Sequence, residues 1–318
     1  MFLRFAAAMK TFEQLRIVFF GTPDFAVASL DALVAAGAHI VAAVTAPDKP
    51  AGRGMQLTAS AVKQYAVAKE IPVLQPEKLK APEFMAELKA LNADLQVVVA
   101  FRMMPEVVWD MPPMGTINVH GSLLPQYRGA APINWAIING ETETGVTTFK
   151  LKHEIDTGDI LLQQKVKILP SDNAGTLHDK LMAAGAELLV KTVRGLAHET
   201  LHEIPQNEIA AGDLKHAPKI FKEHLLIDWN KPVKDIDNFV RGMSPYPAAF
   251  TMLGDKTLKI FSSDYRLEDH DKLPGAHDTD HSTYLRFAAK DGWLYVEEVQ
   301  LEGKKRMNVE DFLRGFRG

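Results

Sequence analysis

The chain has 318 residues, 47% hydrophobic and 24% charged, with a net charge of −4 and no cysteine. That length exceeds one typical domain and predicts two. The charge excludes a uniformly basic nucleic-acid coat, so a nucleic-acid partner would need a local basic patch. The lack of cysteine excludes disulfides, thiol nucleophiles and thiolate metal sites, and fits a cytoplasmic setting. No apolar run approaches the ~20 residues that a membrane helix needs. Met1–Met9 is too short for a signal peptide, so residues 1–10 read as a disordered leader, with Met9 a candidate start.

Leu15–Phe20 is an apolar run suited to a strand buried on both faces. A turn at Gly21-Thr22-Pro23-Asp24 leads into a helix over Phe25–Ala36, capped by Gly37, and a second strand follows at Ile40–Val44. This β-α-β unit predicts a right-handed crossover and a parallel sheet. It lacks the full G-x-G-x-x-G fingerprint of a dinucleotide site. Residues 47–57, rich in Pro and Gly, read as a loop made cationic by Lys49 and Arg53. It is either a solvated surface loop or a mobile basic finger that closes on a phosphate-bearing partner.

Ser60 predicts the cap of a helix running to Lys69, followed by a short strand at Val73-Leu74 and a helix over Pro82–Leu91. Leu95–Ala100 is the next buried strand, and Phe101-Arg102-Met103-Met104-Pro105 leaves its end as an apolar loop. That loop could wall a pocket for a flat ligand or belong to the core. A short helix at Glu106–Trp109 precedes a strand over Gly115–His120. Ala131–Asn139 reads as a helix, Glu143–Leu151 and Ile160–Ile168 as strands, His153–Asp159 as an acidic turn and Asp172–Arg194 as a long helix. Residues 203–219 are polar and aperiodic, which predicts a linker. Beyond them the pattern predicts a helix at Val233–Arg241 and strands at Ala249–Leu253 and Leu258–Phe261. A hairpin about Asp291-Gly292 and a closing helix at Val309–Phe316 follow. This β-rich half reads as a small barrel. The expected division is 11–200, a linker over 201–218, and 219–318.

Chemistry concentrates where strands end. Alternation puts Asn118 and His120 on one face of their strand, and Gly121 and Pro125 break that strand just beyond. From this stretch alone, an ordinary buried Asn and His that satisfy a loop backbone is as good a reading. An Asn amide and a protonated imidazole can together stabilise an oxyanion formed on a carbonyl, and a carboxylate such as Asp156 would orient the imidazole. The trio suits acyl transfer to an amine. Ser122 lacks the G-x-S-x-G elbow of a serine nucleophile. His120, His153 and Asp156 have no recognised metal spacing, and no metal is expected.

Spacing alone does not bring Asp156 to His120. The run Asn118–Pro125, followed by Tyr127–Trp135, Glu143–Thr147 and Ile155–Asp159, resembles the signature of the folate-dependent formyltransferases. Gly21–Phe25 and Asp48–Gly54 narrow the likeness to the branch acting on methionine carried by initiator tRNA. His216–Ile220, Ile227–Trp229 and Arg241–Pro247 extend it into the second half.

The resemblance implies a Rossmann-like N-terminal domain that binds 10-formyltetrahydrofolate, and a smaller OB-like β-barrel that holds the tRNA. It implies catalytic roles for Asn118, His120 and Asp156. Asn118 and His120 would hold the oxyanion while Asp156 keeps His120 protonated and helps move the amine proton. The folate would meet Phe101, Arg102, Met103, Met104, Pro105, Ser122, Leu123, Leu124, Pro125 and Ile155. Arg102 stands where the family usually carries Gly, in a loop one residue shorter. For the tRNA, the expected contacts are Lys49, Arg53, Lys215, Lys219, Lys222 and Lys234. Asp264, Glu268, Asp269, Asp271, Asp278 and Asp280 crowd what reads as the middle loop of the second half, which the tRNA-facing surface should avoid. A monomer is expected. Two alternatives stay open: a formyltransferase for an amino sugar nucleotide, and a folate- or tRNA-binding protein without catalysis.

Overall fold

The structure is a computed structural model that describes residues 10–51, 56–209 and 212–316. In chain order come β1 (Arg16–Gly21), α1 (Asp24–Ala35), β2 (His39–Val44), β3 (Lys49–Ala51), β4 (Gln56–Thr58), α2 (Ala61–Ala68), β5 (Val73–Leu74) and α3 (Pro82–Ala90). Then follow β6 (Leu95–Val99), α4 (Glu106–Trp109), β7 (Thr116–His120), β8 (Arg128–Gly129), α5 (Pro132–Ile138), β9 (Glu143–Lys150), β10 (Ile160–Lys167), α6 (Ala174–Ala197) and α7 (Gln206–Ile209). The rest comprises β11 (His216–Ala217), α8 (Val233–Met243), β12 (Ala249–Leu253), β13 (Lys256–Leu267), β14 (His277–Thr279), β15 (Leu285–Ala288), β16 (Gly292–Leu301), β17 (Met307–Asn308) and α9 (Val309–Gly315).

The chain forms two compact units. One runs to Arg128 and adds Gly145–Val166 and Asp179–Leu214; the other takes Gly129–Thr144, Lys167–His178 and the chain from Lys215. The first is built on a seven-stranded sheet of order β10-β9-β7-β6-β1-β2-β5. Its central strands are parallel, as the β-α-β pattern predicts: β1 lies between β2 and β6, and β7 extends the set. β9 pairs antiparallel with β7, from Ile117↔Lys150 to His120↔Thr147. The sheet is therefore Rossmann-like at its centre and mixed at this side. Ile17, Val18, Phe19 and Phe20 are all fully buried, because both faces of β1 are covered there and side chains on either face must be apolar. α1 stops where expected: Ala36 is its last cap residue and Gly37 takes φ +90°, which glycine adopts without a Cβ clash.

The basic segment 47–57 is more ordered at its base than a loop. Lys49–Ala51 and Gln56–Thr58 pair as an antiparallel ribbon, and Arg53 lies outside the described residues. At its C-terminal side, Ser60 accepts from the Lys63 N–H at 3.1 Å and caps α2, as predicted. The stretch expected as a linker is tied to the first unit at two points. Ile204 forms a β-bridge with Ile160, and Gln206 is buried.

The second unit has a curled antiparallel sheet, a half-barrel, of order β12-β13-β16-β15-β14 with β17 on β16. Its curvature has a local cause. The β13–β16 register slips on both sides of Ser262, and such bulges bend and twist a strand. α8 packs Val233, Ile236, Val240 and Met243 into a core with Leu258, Ile260, Leu294 and Val296. The acidic residues are spread more widely than a middle loop. Asp264 is on β13 and Asp278 on β14, because β13 continues to Leu267, well past the predicted Phe261.

Candidate active site

His120 is the last residue of β7 and Asn118 shares its face by strand alternation. Asn118 pairs with Val98 on one side and Phe149 on the other, so both neighbouring strands hold its backbone in place. His120 is buried, and Phe149 meets its ring edge-on at a centroid distance of 6.5 Å.

The two imidazole nitrogens have different partners. Nε2 lies 2.9 Å from the carbonyl oxygen of Tyr127. A carbonyl only accepts, so Nε2 carries a proton and donates it. Nδ1 faces the Asp156 carboxylate at 3.8 Å. Tyr127 is buried with φ +59°, in the left-handed region that a bulky residue seldom adopts. The tautomer is thus set by a backbone carbonyl, and Nδ1 is the nitrogen that faces the carboxylate.

Asp156 sits in the turn between β9 and β10, also in the left-handed region, at φ +55°. The turn folds tightly against the end of β9. The Lys150 N–H donates to the carbonyl of Asp159 at 3.0 Å. A Cβ on Gly158 would lie 1.6 Å from the Lys150 carbonyl oxygen, so only glycine fits there. Thr157 closes the turn internally, its hydroxyl donating to the Glu154 carbonyl at 2.9 Å. His153, the third group of a possible metal set, is 85% exposed and faces Glu106 at 3.4 Å. Among the described residues no group of three His, Asp or Glu is arranged to hold a metal ion.

One imidazole with an N–H held on a carbonyl, a second nitrogen beside a carboxylate, and an amide donor on the same strand face are groups that can chemically handle a proton and bind an oxyanion. Residues 15–193 match the family described as formyl transferase, and residues 219–317 match the formyl transferase C-terminal domain. The chain belongs to the formyl transferase family.

The chain is 58% identical over 313 residues to a methionyl-tRNA formyltransferase of Parabacteroides distasonis, covering 96% of this chain and 97% of that one. It is 48% identical over 308 residues to one of Flavobacterium johnsoniae, with 96% and 97% covered. Among solved structures, the fold is similar to WlaRD, a sugar 3N-formyl transferase crystallised in the presence of dTDP and 5-N-formyl-THF. The TM-score is 0.66 at 18% identity, over 92% of this chain and 99% of that one. It is also similar to HypX of Aquifex aeolicus in complex with tetrahydrofolic acid, with a TM-score of 0.63 at 18% identity. That match covers 95% of this chain, which spans about half of HypX (48%).

In this formyltransferase the residues expected to meet a folate divide by exposure. Met103 is 75% and Ile155 61% exposed. Phe101 is half-buried against Phe20, edge-on at 5.6 Å. Arg102 turns back along the chain and donates to the carbonyls of Pro76 and Glu77, at 2.5 and 2.9 Å. Pro105 is the N-cap residue of α4. The others point inward. Met104 packs in the core with Phe20, Val98 and Val108. Ser122 is fully buried and donates to the Gln126 carbonyl at 2.6 Å. Leu124 packs with Phe149 and Ile160, Pro125 is buried, and Leu123 lies against Gly145. Met104, Ser122, Leu124 and Pro125 are therefore not exposed for contact with a ligand, because their side chains are spent on the interior.

The expected cations separate likewise. Lys49 is exposed at the start of β3 and Lys234 in the first turn of α8. Lys215 is paired with Glu141 at 2.5 Å. Lys219 and Lys222 come together on a cleft of about 860 Å³ within the second unit, whose wall also includes Lys259, Phe221, Tyr246 and Glu302. The Lys219 ammonium stands 5.3 Å over the Phe221 ring, and Tyr246 is 83% exposed. Sequence reasoning missed Lys259, which carries no motif, and the Tyr127 carbonyl, which carries no side-chain signal at all. Tyr246 lies inside the Arg241–Pro247 motif but was not singled out.

Proposed function

We propose that this formyltransferase moves the formyl group of 10-formyltetrahydrofolate to the α-amine of methionine esterified to initiator tRNA. One observation carries the choice of acceptor. Relatives up to 58% identical over 96% of the chain are methionyl-tRNA formyltransferases, and the likeness runs through both halves. The sugar formyltransferases share the fold at 18% identity and carry no such weight.

The amine attacks the formyl carbon, a C–N bond forms, and the carbonyl oxygen becomes an oxyanion. The Asn118 amide and the His120 Nδ1–H donate to it. The Asp156 carboxylate faces Nδ1 and takes the amine proton, directly or through water. The oxyanion then collapses to the carbonyl, the bond to the folate nitrogen breaks, and that nitrogen takes the proton that Asp156 removed from the amine. Arg102, Met103 and Ile155 are the exposed candidates to contact the folate, with the half-buried Phe101 beside them. The cleft of Lys219, Lys222 and Lys259 supports tRNA binding in the second unit, with cations for phosphates and the Phe221 and Tyr246 rings for stacking. In this reading residues 11–200 carry the transfer, 201–218 connect, and 219–318 hold the tRNA. All three proposed catalytic residues belong to a single chain, so a monomer suffices. A cytoplasmic setting, where folate and charged tRNA meet, fits this reading.

Purified chain incubated with 10-formyltetrahydrofolate and charged initiator tRNA should yield formyl-methionine. Formylation of an amino sugar nucleotide but not of the charged tRNA would overturn the assignment.

A further inference from the structure

Gln206 begins the short helix α7 in a stretch with no hydrophobic period, yet it is only 3% exposed. Its amide is used at both ends. Nε2 donates to the carbonyls of Asp156 and Gly158, at 2.9 and 2.8 Å. Oε1 accepts from Nε and Nη2 of Arg128, at 2.9 and 2.5 Å. An amide nitrogen has two protons and its oxygen two lone pairs, so all four are spent. Two guanidinium donors on one side and two carbonyls on the other also fix which way the amide points.

The two sides of this amide are the two sides of the proposed proton-handling pair. Arg128 directly follows Tyr127, whose carbonyl receives the His120 Nε2–H. Asp156 supplies the carboxylate that faces Nδ1. We propose that Gln206 is a positioning residue: through one side-chain amide it locks the Asp156 turn to the segment that anchors His120, and so sets the spacing between Nδ1 and the carboxylate. The turn benefits from such a lock, because Asp156 is held in the left-handed region, where a non-glycine residue is strained and persists only when its surroundings hold it. A fully satisfied buried polar group is rigid, and its removal takes a donor from two carbonyls and an acceptor from a guanidinium. Glutamate at this position would keep the oxygen for Arg128 but turn an acceptor toward both carbonyls. Asparagine is one methylene too short to span them.

The proposal rests on the transfer reaction proposed above for its kinetic arm only. Wild type, Gln206→Glu and Gln206→Leu are compared for kcat, KM for both substrates, melting temperature and pH dependence. The expected result is a kcat at least about tenfold lower in both variants, since small misplacements of a reacting group carry losses of that order or more. KM for both substrates should stay within about twofold, because neither substrate is a partner of Gln206. In Gln206→Glu the loss should shrink as pH falls, since a protonated carboxyl regains an O–H donor. A purely structural role would move melting temperature without that pH signature. Unchanged kcat in both variants, or a loss in Gln206→Glu that ignores pH, would overturn the proposal. If Gln206→Leu does not fold, Gln206→Glu decides, as it keeps the volume and the Arg128 partner. Should wild type fail to formylate charged tRNA, the functional reading falls by itself. The lock is then judged from NMR exchange of the His120 imidazole N–H, expected to quicken at least about tenfold in Gln206→Glu. Equal exchange in the two proteins would overturn it.

Discussion

The Nε2–H of His120 is donated to the backbone carbonyl of Tyr127 at 2.9 Å, and this leaves Nδ1 as the nitrogen that faces Asp156. A side-chain acceptor at that place could be lost by mutation; a backbone carbonyl cannot. The tautomer of His120 is therefore a property of how residues 121–127 are folded.

Asn118→Ala and His120→Ala should each lower kcat with little change in KM for the folate, since each removes a donor used mainly when charge develops on the oxygen. The expected loss is about 2 kcal/mol or more of transition-state stabilisation. Steady-state kinetics on charged tRNA, with separate titration of a non-reactive folate, would check it. A collapse of folate affinity with the chemical step intact would contradict the oxyanion role.

Gly158→Ala should be costly despite its small size. The added methyl would meet the Lys150 carbonyl at 1.6 Å, so the turn carrying Asp156 must shift. Overpacking of this kind costs about 1–3 kcal/mol, and the displacement of Asp156 should lower kcat as well. Thermal unfolding and kinetics on the same preparation would show both effects; a wild-type kcat would mean that the turn position is not critical.

Lys219→Ala and Lys259→Ala should raise KM for the charged tRNA without lowering kcat, and the effect should shrink as salt rises. Each phosphate contact removed should flatten the dependence of log K on log salt by about 0.7 to 0.9. Lys215→Ala should change less, because Lys215 is already paired with Glu141 at 2.5 Å. Binding of tRNA measured at several ionic strengths decides this, and equal slopes for wild type and Lys259→Ala would remove the cleft from the tRNA surface.

Two carboxylates of the second unit should give opposite pH responses. The Arg286 guanidinium hydrogen-bonds Asp278 and holds its carboxyl below the usual range. Its stabilising contribution is present above the ordinary aspartate value and is lost as pH falls through the depressed one. Burial pushes Asp237 up, outweighing the hydroxyl of Ser263 and the guanidinium of Arg241. Its contribution is greatest below the ordinary value and is lost as pH rises through the raised one. Asp278→Asn should therefore narrow the drop in urea midpoint between pH 7 and pH 3, by less than about 1 kcal/mol for so exposed a pair. Asp237→Asn should widen that drop. Fluorescence of Trp229 and Trp293, both in this unit's sheet core, reports the transition.

The helices and the long strands were legible in the sequence because their causes are local. Ile17–Phe20 is apolar at every position, since both faces of β1 are covered. Gly37 ends α1 because of its own backbone freedom. Asn118 and His120 share a face by alternation within one strand. β14 and β17, of three and two residues, carry too few side chains to show a period, and the bulge about Ser262 hid the continuation of β13.

By itself, then, the sequence determined the local segments, the shared face of Asn118 and His120, and, through its motifs, the family. Only the tertiary structure decided that Asp156 stands 3.8 Å from Nδ1 of His120, and that one amide of Gln206 bonds both Arg128 and the Asp156 turn. It also decided that Lys259 joins Lys219 and Lys222 on one cleft. The physical reason is distance along the chain. Residues 36 and more apart meet only when a sheet and its turns close, and no spacing or periodicity records that closure.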